Sequence, residues 1–148
     1  MSLDVWLTVD APVMKPASSG IFIRENGGNK EISIDEWNAR FPGREPVVVV
    51  SNEELTTEVF SANITHNLNT MAKLAGLYEW LWHPKVTKAS ELIKPLAEGL
   101  LKLVIDPDKY IALNPANGWG KYENLVDFVI EYLGACVRYP DSKVNVSK

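Results

Sequence analysis

The sequence predicts an α+β fold, in which a small mixed or antiparallel sheet packs against about three α-helices. Three observations predict it. Apolar and polar residues alternate near the N-terminus, an Asn- and Gly-rich reversal follows, and the apolar period becomes helical in the second half of the chain. Strands that precede helices in this order are typical of α+β proteins, with the helices on one face of the sheet.

The first strand and a hairpin are predicted near the N-terminus. Within residues 4–9, Val5, Leu7 and Val9 alternate with more polar neighbours, which is the period of a half-buried strand. Residues 20–25 and 30–34 flank the segment Asn26-Gly27-Gly28-Asn29. Because Asn and Gly tolerate the positive φ angles of a tight reversal, this pattern predicts a β-hairpin.

A short helix and a further strand are predicted next. Asp35 is expected to cap a helix that runs through Arg40, and Pro42-Gly43 would close it. The run from Val47 to Val50 consists only of β-branched residues. Such a run predicts a strand that is covered on both faces.

Three longer helices are predicted in the second half. Apolar residues recur at intervals of three and four in the ranges 66–82, 88–105 and 122–138. Pro95 lies inside the second range, where it predicts a kink or a later helix start. The alternating segment 143–147 predicts a C-terminal strand that pairs with the sheet, beside residues 4–9.

Length and composition are those of one globular domain of ordinary size. The chain has 148 residues, 46% of them hydrophobic and 23% charged. We expect a single domain, 1–148, in which residues 10–54 form a hairpin-containing insertion. The only cysteine, Cys136, lies within an apolar helical pattern, so no intramolecular disulfide can form and a reducing, cytoplasmic setting is expected.

Charge and targeting signals limit the classes of partner. A net charge of -4 with both signs interspersed argues against a nucleic-acid-binding surface. The N-terminus has no basic segment followed by an apolar one, and no stretch approaches the roughly 20 apolar residues of a membrane span. The partner is therefore expected to be a protein or a small molecule.

The first cluster of candidate binding residues lies at the predicted start of a helix. It contains Asn63, Thr65, His66 and Asn67, whose side chains can all form hydrogen bonds. A helix N-terminus exposes unpaired N–H groups and a partial positive charge, so the cluster could hold an anion or a carboxylate. The more common use of such residues is to cap the helix, with His66 as a surface or internally bonded residue.

The second cluster lies in the loop from Asn114 to Gly120 and the helix start that follows. Its candidate residues are Asn117, Trp119, Tyr122 and Glu123. A Trp on a loop between two glycines can stack on a base, a sugar or a partner's side chain. Alternatively, the segment only connects two helices and Trp119 folds back onto the core.

Two further aromatic residues, Trp80 and Trp82, end the helix predicted for 66–82. They lie two positions apart, on different helix faces, so one of them could be exposed at a protein interface. Packing of both in the core is the more common arrangement.

No residue pattern predicts catalysis. His66 and His83 lack the spacing of a zinc site, so no metal is expected, and Cys136 on an apolar helix stripe is typical of an inert thiol. Phosphate-binding and dinucleotide-binding motifs are absent from the sequence, so no cofactor is expected.

Two motifs carry a resemblance to a known family. The string from Glu58 to Leu68, with NITHN at its centre, and the string NPANGWGKYE from Asn114 to Glu123 resemble a family of small proteins encoded by bacteria and their phages. The opening Asp4–Thr8 and the ending near Tyr139–Asp141 extend the resemblance over most of the chain, while residues 10–54 fit it less closely. The resemblance implies a cytoplasmic setting and a mobile-element origin; it implies no activity and no site residues.

These observations lead to a ranked set of functions. We expect a non-enzymatic binding protein that acts on a protein partner, which the phage resemblance would make a host protein. The alternative is a protein that binds a nucleotide- or sugar-sized molecule between residues 63–67 and the 114–123 loop. A third option is an enzyme in which His66 meets Glu123 or Asp127 within a cleft.

Overall fold

The computed structural model describes residues 1–10, 19–47 and 56–148 of the chain. These residues form a mixed α+β fold, which confirms the predicted class. The described strands are β1 (Ser2–Asp10), β2 (Phe22–Glu25), β3 (Gly28–Glu31), β4 (Thr56–Thr65) and β5 (Lys143–Ser147). The described helices are α1 (Ile34–Arg40), α2 (Asn69–Leu74), α3 (Tyr78–Trp82), α4 (Ser90–Ile105), α5 (Pro107–Ile111) and α6 (Tyr122–Arg138).

The chain divides into two compact units. The larger unit combines Met1–Val9 with Thr56–Lys148, and the smaller unit is Asp10–Leu55. Within the described part of the chain, no helix is long and apolar enough to cross a membrane.

The smaller unit contains the predicted hairpin. β2 and β3 pair antiparallel, with Glu25 opposite Gly28. Asn26 and Gly27 form the two-residue turn with φ angles of 51° and 80°. Two consecutive positive φ angles match the twist of the flanking strands, which explains why Asn-Gly occupies the turn.

Helix α1 forms where the sequence predicts it, but with a different cap. Ser33 precedes the helix, and its hydroxyl accepts a hydrogen bond from the backbone N–H of Glu36 at 3.1 Å. The expectation that Asp35 caps this helix is therefore wrong, since Asp35 lies inside the first turn. The strand predicted for residues 47–50 falls mostly outside the described residues; Val47 itself lies in a loop, bonded to the side chain of Asn38.

The larger unit is built on a three-stranded sheet in the order β4-β1-β5. β5 pairs antiparallel with β1, from Asp4 opposite Ser147 to Thr8 opposite Lys143, so the predicted C-terminal strand and its partner are confirmed. Leu3, Val5 and Leu7 on β1 are buried and face the helices. Helices α4 and α6 pack against each other, and α6 also packs against β4.

The helix predicted for residues 66–82 is wrong as one element. The chain instead forms a 3-10 turn from His66 to Leu68, then α2 and α3. Gly76, at φ 73°, separates the two helices, because a left-handed residue ends the helical hydrogen-bond ladder. α4 begins at Ser90, two residues after the predicted start, and runs through Pro95, while α6 has the predicted bounds.

Candidate functional site

Strand β4 lies at one edge of the three-stranded sheet, so half of its backbone N–H and C=O groups point away from β1. The backbone N–H of His66 donates to the carbonyl oxygen of Met1 at 3.2 Å, and the side-chain amide of Asn63 donates to the Asp4 carboxylate at 2.5 Å. These bonds fix an antiparallel register between β4 and β1. Because backbone groups alternate in direction along a strand, the N–H groups of Ser61 and Asn63 point away from β1.

The two edges of the sheet differ. At the β5 edge, the N–H of Val144 donates to the carbonyl oxygen of Thr87 at 2.9 Å, and the N–H of Ala89 donates to Ser142 at 2.9 Å. At the β4 edge, no strand among residues 1–10, 19–47 and 56–148 pairs with the outward groups. Among the described residues, the outward groups of β4 therefore form the longer unpaired row at the edges of this sheet, since the β5 edge is bonded at Val144.

A groove runs between this edge and helix α6. Its first part has a volume of about 440 Å³ and is lined by Ser61, Ala62, Asn63, Ile64, Thr65, Gly120, Asn124, Asp127, Phe128 and Glu131. Its second part has a volume of about 370 Å³ and is lined by Val59, Phe60, Ile130, Glu131, Gly134, Ala135, Arg138 and Tyr139. Glu131 belongs to both parts. The groove therefore follows β4 from Thr65 to Val59.

Aromatic rings support the groove from the core side. Phe60 stacks on Tyr132 with ring centroids 5.6 Å apart and an interplanar angle of 10°, and Phe128 lies 6.0 Å from the same tyrosine. Tyr132 is fully buried, and its hydroxyl has no hydrogen-bond partner among the described residues. Burial raises the pKa of Tyr132 far above its usual value, because a phenolate would lose its hydration.

Two carboxylates dominate the polar end of the groove. Asp127 and Glu131 are exposed, lie four residues apart on α6, and form no ion pair or hydrogen bond within the described part of the chain. The neighbouring amide of Asn124, by contrast, accepts from the backbone N–H of Lys121 at 2.8 Å. The hydroxyl of Thr65 accepts from the backbone N–H of Asn67 at 3.4 Å. The two carboxylates are thus the charged side chains at this end that have no partner among the described residues.

The opposite end of the groove is more apolar. Val59, Phe60 and Ala135 line it, and Arg138 lies at its far end, while Glu131 lies where the two parts meet. Arg138 is the only cationic side chain among the residues that line the two described parts. The groove therefore has an acidic end near Gly120 and an apolar, basic end near Tyr139.

Two residues of the first predicted cluster line the groove, and the other two form hydrogen bonds elsewhere in the protein. Asn63 and Thr65 line the groove, and Thr65 also caps the 3-10 turn, as the capping interpretation predicts. His66 lies outside it and accepts a hydrogen bond at Nδ1 from the indole N–H of Trp82 at 3.2 Å. Asn67 donates to the carbonyl oxygen of Trp119 at 3.3 Å.

The second predicted cluster lies mainly beside the groove. The side chain of Asn117 accepts from the backbone N–H of Trp119 at 3.0 Å and shapes the loop. Trp119 itself is 72% exposed, so it does not fold back onto the core. The hydroxyl of Tyr122 donates to the carbonyl oxygen of Leu103 at 2.8 Å, which ties α6 to the end of α4. Glu123 is exposed in the first turn of α6.

Gly120 joins the second motif to the groove. It has a φ angle of 93°, and a Cβ atom at this position would lie 2.5 Å from Cγ2 of Thr65. A residue with a side chain would be strained in its backbone and would displace Thr65. The two motifs therefore meet at the acidic end of the groove through Gly120 and Thr65.

Two of the residues that give the groove its charge, Glu131 and Arg138, were not predicted from the sequence. Asp127 was considered only as a possible partner of His66 in a catalytic cleft, whereas His66 bonds to Trp82. A signal for the two carboxylates was present, because Glu123, Asp127 and Glu131 recur every four residues and so share one face of α6. No sequence pattern placed β4 opposite that face.

The two remaining candidates, Trp80 and Trp82, are not among the residues that line this groove. Trp82 is fully buried, whereas Trp80 is 37% exposed, so the expectation that both pack in the core is wrong for Trp80. Among the residues that the structure describes, no three His, Cys, Asp or Glu side chains converge as a metal site would require.

Comparisons with protein-family models, with curated proteins and with solved structures found no match to this chain.

Proposed function

We propose that this chain is a non-enzymatic binding protein that accepts an extended segment of a protein partner as an additional strand beside β4. The observation that carries the proposal is the groove along the β4 edge, into which the N–H groups of Ser61 and Asn63 are directed. Strand addition of this kind obtains affinity from main-chain hydrogen bonds and specificity from pockets for alternate side chains.

The residues of β4 support this role. Proteins usually protect a long edge strand against other chains with charged side chains, especially lysine, or with proline or a bulge. The sequence of β4, TTEVFSANIT, contains neither lysine nor proline, and its one charged residue, Glu58, precedes the part that lines the groove. Each new main-chain hydrogen bond would contribute roughly 0.5–1.5 kcal/mol, so four to six of them would contribute roughly 2–9 kcal/mol toward offsetting the cost of association, with side-chain burial adding to this.

A small molecule is the second candidate, supported by the size and position of the groove. The volume of about 440 Å³ at the acidic end falls within the range of ligand sites, and both sequence motifs contribute to its lining. The carboxylates of Asp127 and Glu131 would repel the phosphates of a nucleotide. A neutral, sugar-sized ligand is therefore favoured over a nucleotide.

The proposed source of the partner rests on the sequence resemblance alone. The resemblance to bacterial and phage-encoded proteins implies a mobile-element origin, which stays a prediction. If it holds, the partner would be a protein of the host cell.

The proposal can be tested by removing one outward N–H group. Ser61→Pro eliminates the N–H that faces the groove, while the hydrogen bonds of β4 to β1 use the alternate residues. Ser61→Ala is the matched control, because it removes the hydroxyl and keeps the N–H. Peptides would be selected on the wild-type protein from a random display library. They should bind Ser61→Ala with unchanged affinity, and their affinity for Ser61→Pro should fall about tenfold or more.

Equal binding to a folded Ser61→Pro variant would contradict strand addition. If peptide selection fails while a neutral oligosaccharide raises the melting temperature, the second candidate would replace the first.

A further inference from the structure

We infer that the bound segment runs antiparallel to β4 and carries a basic side chain opposite Asp127 and Glu131, followed about four residues later by an apolar side chain opposite Val59 and Phe60. This inference rests on the proposed function and specifies the chemistry of its partner.

The charge requirement follows from the unpaired carboxylates. Asp127 and Glu131 line the acidic end and have no partner within the described residues. Like charges four residues apart on a helix are unfavourable, so this pair does not stabilise α6. An arginine or lysine placed between them would relieve the repulsion and form charge-assisted hydrogen bonds.

The spacing follows from the geometry of the two walls. Asp127 and Ala135 are eight residues apart on α6, which corresponds to about 12 Å at the rise of an α-helix. Asn63 and Val59 are four residues apart on β4, which corresponds to about 14 Å in a strand. Two side chains of an added strand separated by four residues would point to the same face and span this distance.

The order of the two side chains follows from the polarity of the groove together with an antiparallel arrangement of the bound segment. β4 runs from the apolar end at Val59 to the acidic end at Thr65. Antiparallel pairs are slightly more stable per residue than parallel ones. An antiparallel segment would enter at the acidic end, so its basic residue precedes its apolar residue. Arg138 at the far end favours an acidic residue or a C-terminal carboxylate after the apolar one.

Defined peptides test each part of this inference. The first peptide is a capped, threonine-rich nonapeptide with arginine at its third position and leucine at its seventh. One comparator exchanges these two residues, and a second replaces arginine with citrulline, which keeps the shape and removes the charge. Affinities would be measured by titration calorimetry, with backbone amide chemical shifts of the labelled protein to locate the bound peptide.

The first peptide should bind at least fivefold more tightly than either comparator. Asp127→Asn with Glu131→Gln should reduce its affinity about tenfold and leave the citrulline peptide unaffected. Glu98→Gln on α4, which lies outside the groove, is the matched control and should leave both affinities unchanged.

The outcomes separate this inference from the proposed function. If all peptides shift the amides of Ser61 and Asn63 with equal affinity, strand addition stands and the proposed chemistry is wrong. Tighter binding of the comparator in which leucine precedes arginine would overturn the inferred direction and leave the rest of the proposal standing. If the arginine–leucine peptide shifts no β4 amide and the library-selected peptides ignore Ser61→Pro, both proposals fail.

Discussion

The side-chain amide of Asn67 donates a hydrogen bond to the backbone carbonyl oxygen of Trp119 across 52 residues of sequence, at 3.3 Å. One residue further along, Gly120 lies against Thr65 with no room for a side chain. The two segments that the sequence marks as candidate sites are therefore one structural corner, and its geometry depends on a glycine.

Gly120→Ala should destabilise the larger unit by about 1–3 kcal/mol, because the new methyl group would collide with Thr65 and the φ angle would be strained. Gly118→Ala is the matched control: its φ angle is 73°, but nothing lies within 4 Å of the new Cβ atom. It should cost about 1 kcal/mol. Urea denaturation would measure both, and equal costs would contradict the close contact with Thr65.

Trp119→Ala should change the free energy of unfolding by less than about 0.5 kcal/mol, because its side chain is 72% exposed. Trp82→Ala should cost about 3–5 kcal/mol, since that indole is fully buried and donates to His66. Thermal and urea unfolding would compare the two variants. A large loss for Trp119→Ala would mean that its ring packs against the protein in solution.

Asp127→Asn and Glu131→Gln should each stabilise the protein by roughly 0.2–0.5 kcal/mol, because each removes like-charge repulsion along α6. Glu98→Gln should have the opposite sign, since Glu98 lies 4.0 Å from Lys94 in an i,i+4 ion pair. Stability measured at low and high salt would check both signs, because screening should shrink both effects. Destabilisation by Asp127→Asn would indicate that this carboxylate has a stabilising partner.

Alkaline pH should destabilise the protein through Cys136. Burial raises the pKa of this thiol from about 9 to about 12, so above pH 9 the unfolded chain releases a proton that the folded protein keeps. The contribution of the neutral thiol to the free energy of unfolding is fully present below about pH 9. As the pH rises toward 12, the free energy of unfolding falls by up to about 1.4 kcal/mol per pH unit. Cys136→Ala should flatten the pH dependence relative to wild type; identical slopes would contradict a buried, neutral thiol.

The sequence predicts the elements with strong local signals. Asn26-Gly27 specifies its hairpin, and α6 forms over its predicted range because its apolar period is uninterrupted. The helix predicted for 66–82 fails because Gly76 adopts a left-handed conformation, which apolar spacing does not report. β4 was missed although Phe60, Ala62 and Ile64 alternate, because Val59 interrupts the period.

The groove itself could not be predicted from local patterns. It exists because β4 and α6, which are about 60 residues apart in sequence, pack against each other. The spacing of Asp127 and Glu131 identifies a polar helix face but not the strand opposite to it. His66 and Tyr122 are typical of binding residues by type, yet both bond to their own chain, to Trp82 and to Leu103.

The most direct test of the central claim is hydrogen exchange of the β4 backbone amides with and without a bound peptide. Strand addition predicts an alternating result: the amides of Ser61 and Asn63 should become protected, while those of Ala62 and Ile64, which face β1, should change little. Protection that appears at Trp80 or Trp119 instead, with Ser61 and Asn63 unchanged, would show that the partner binds elsewhere.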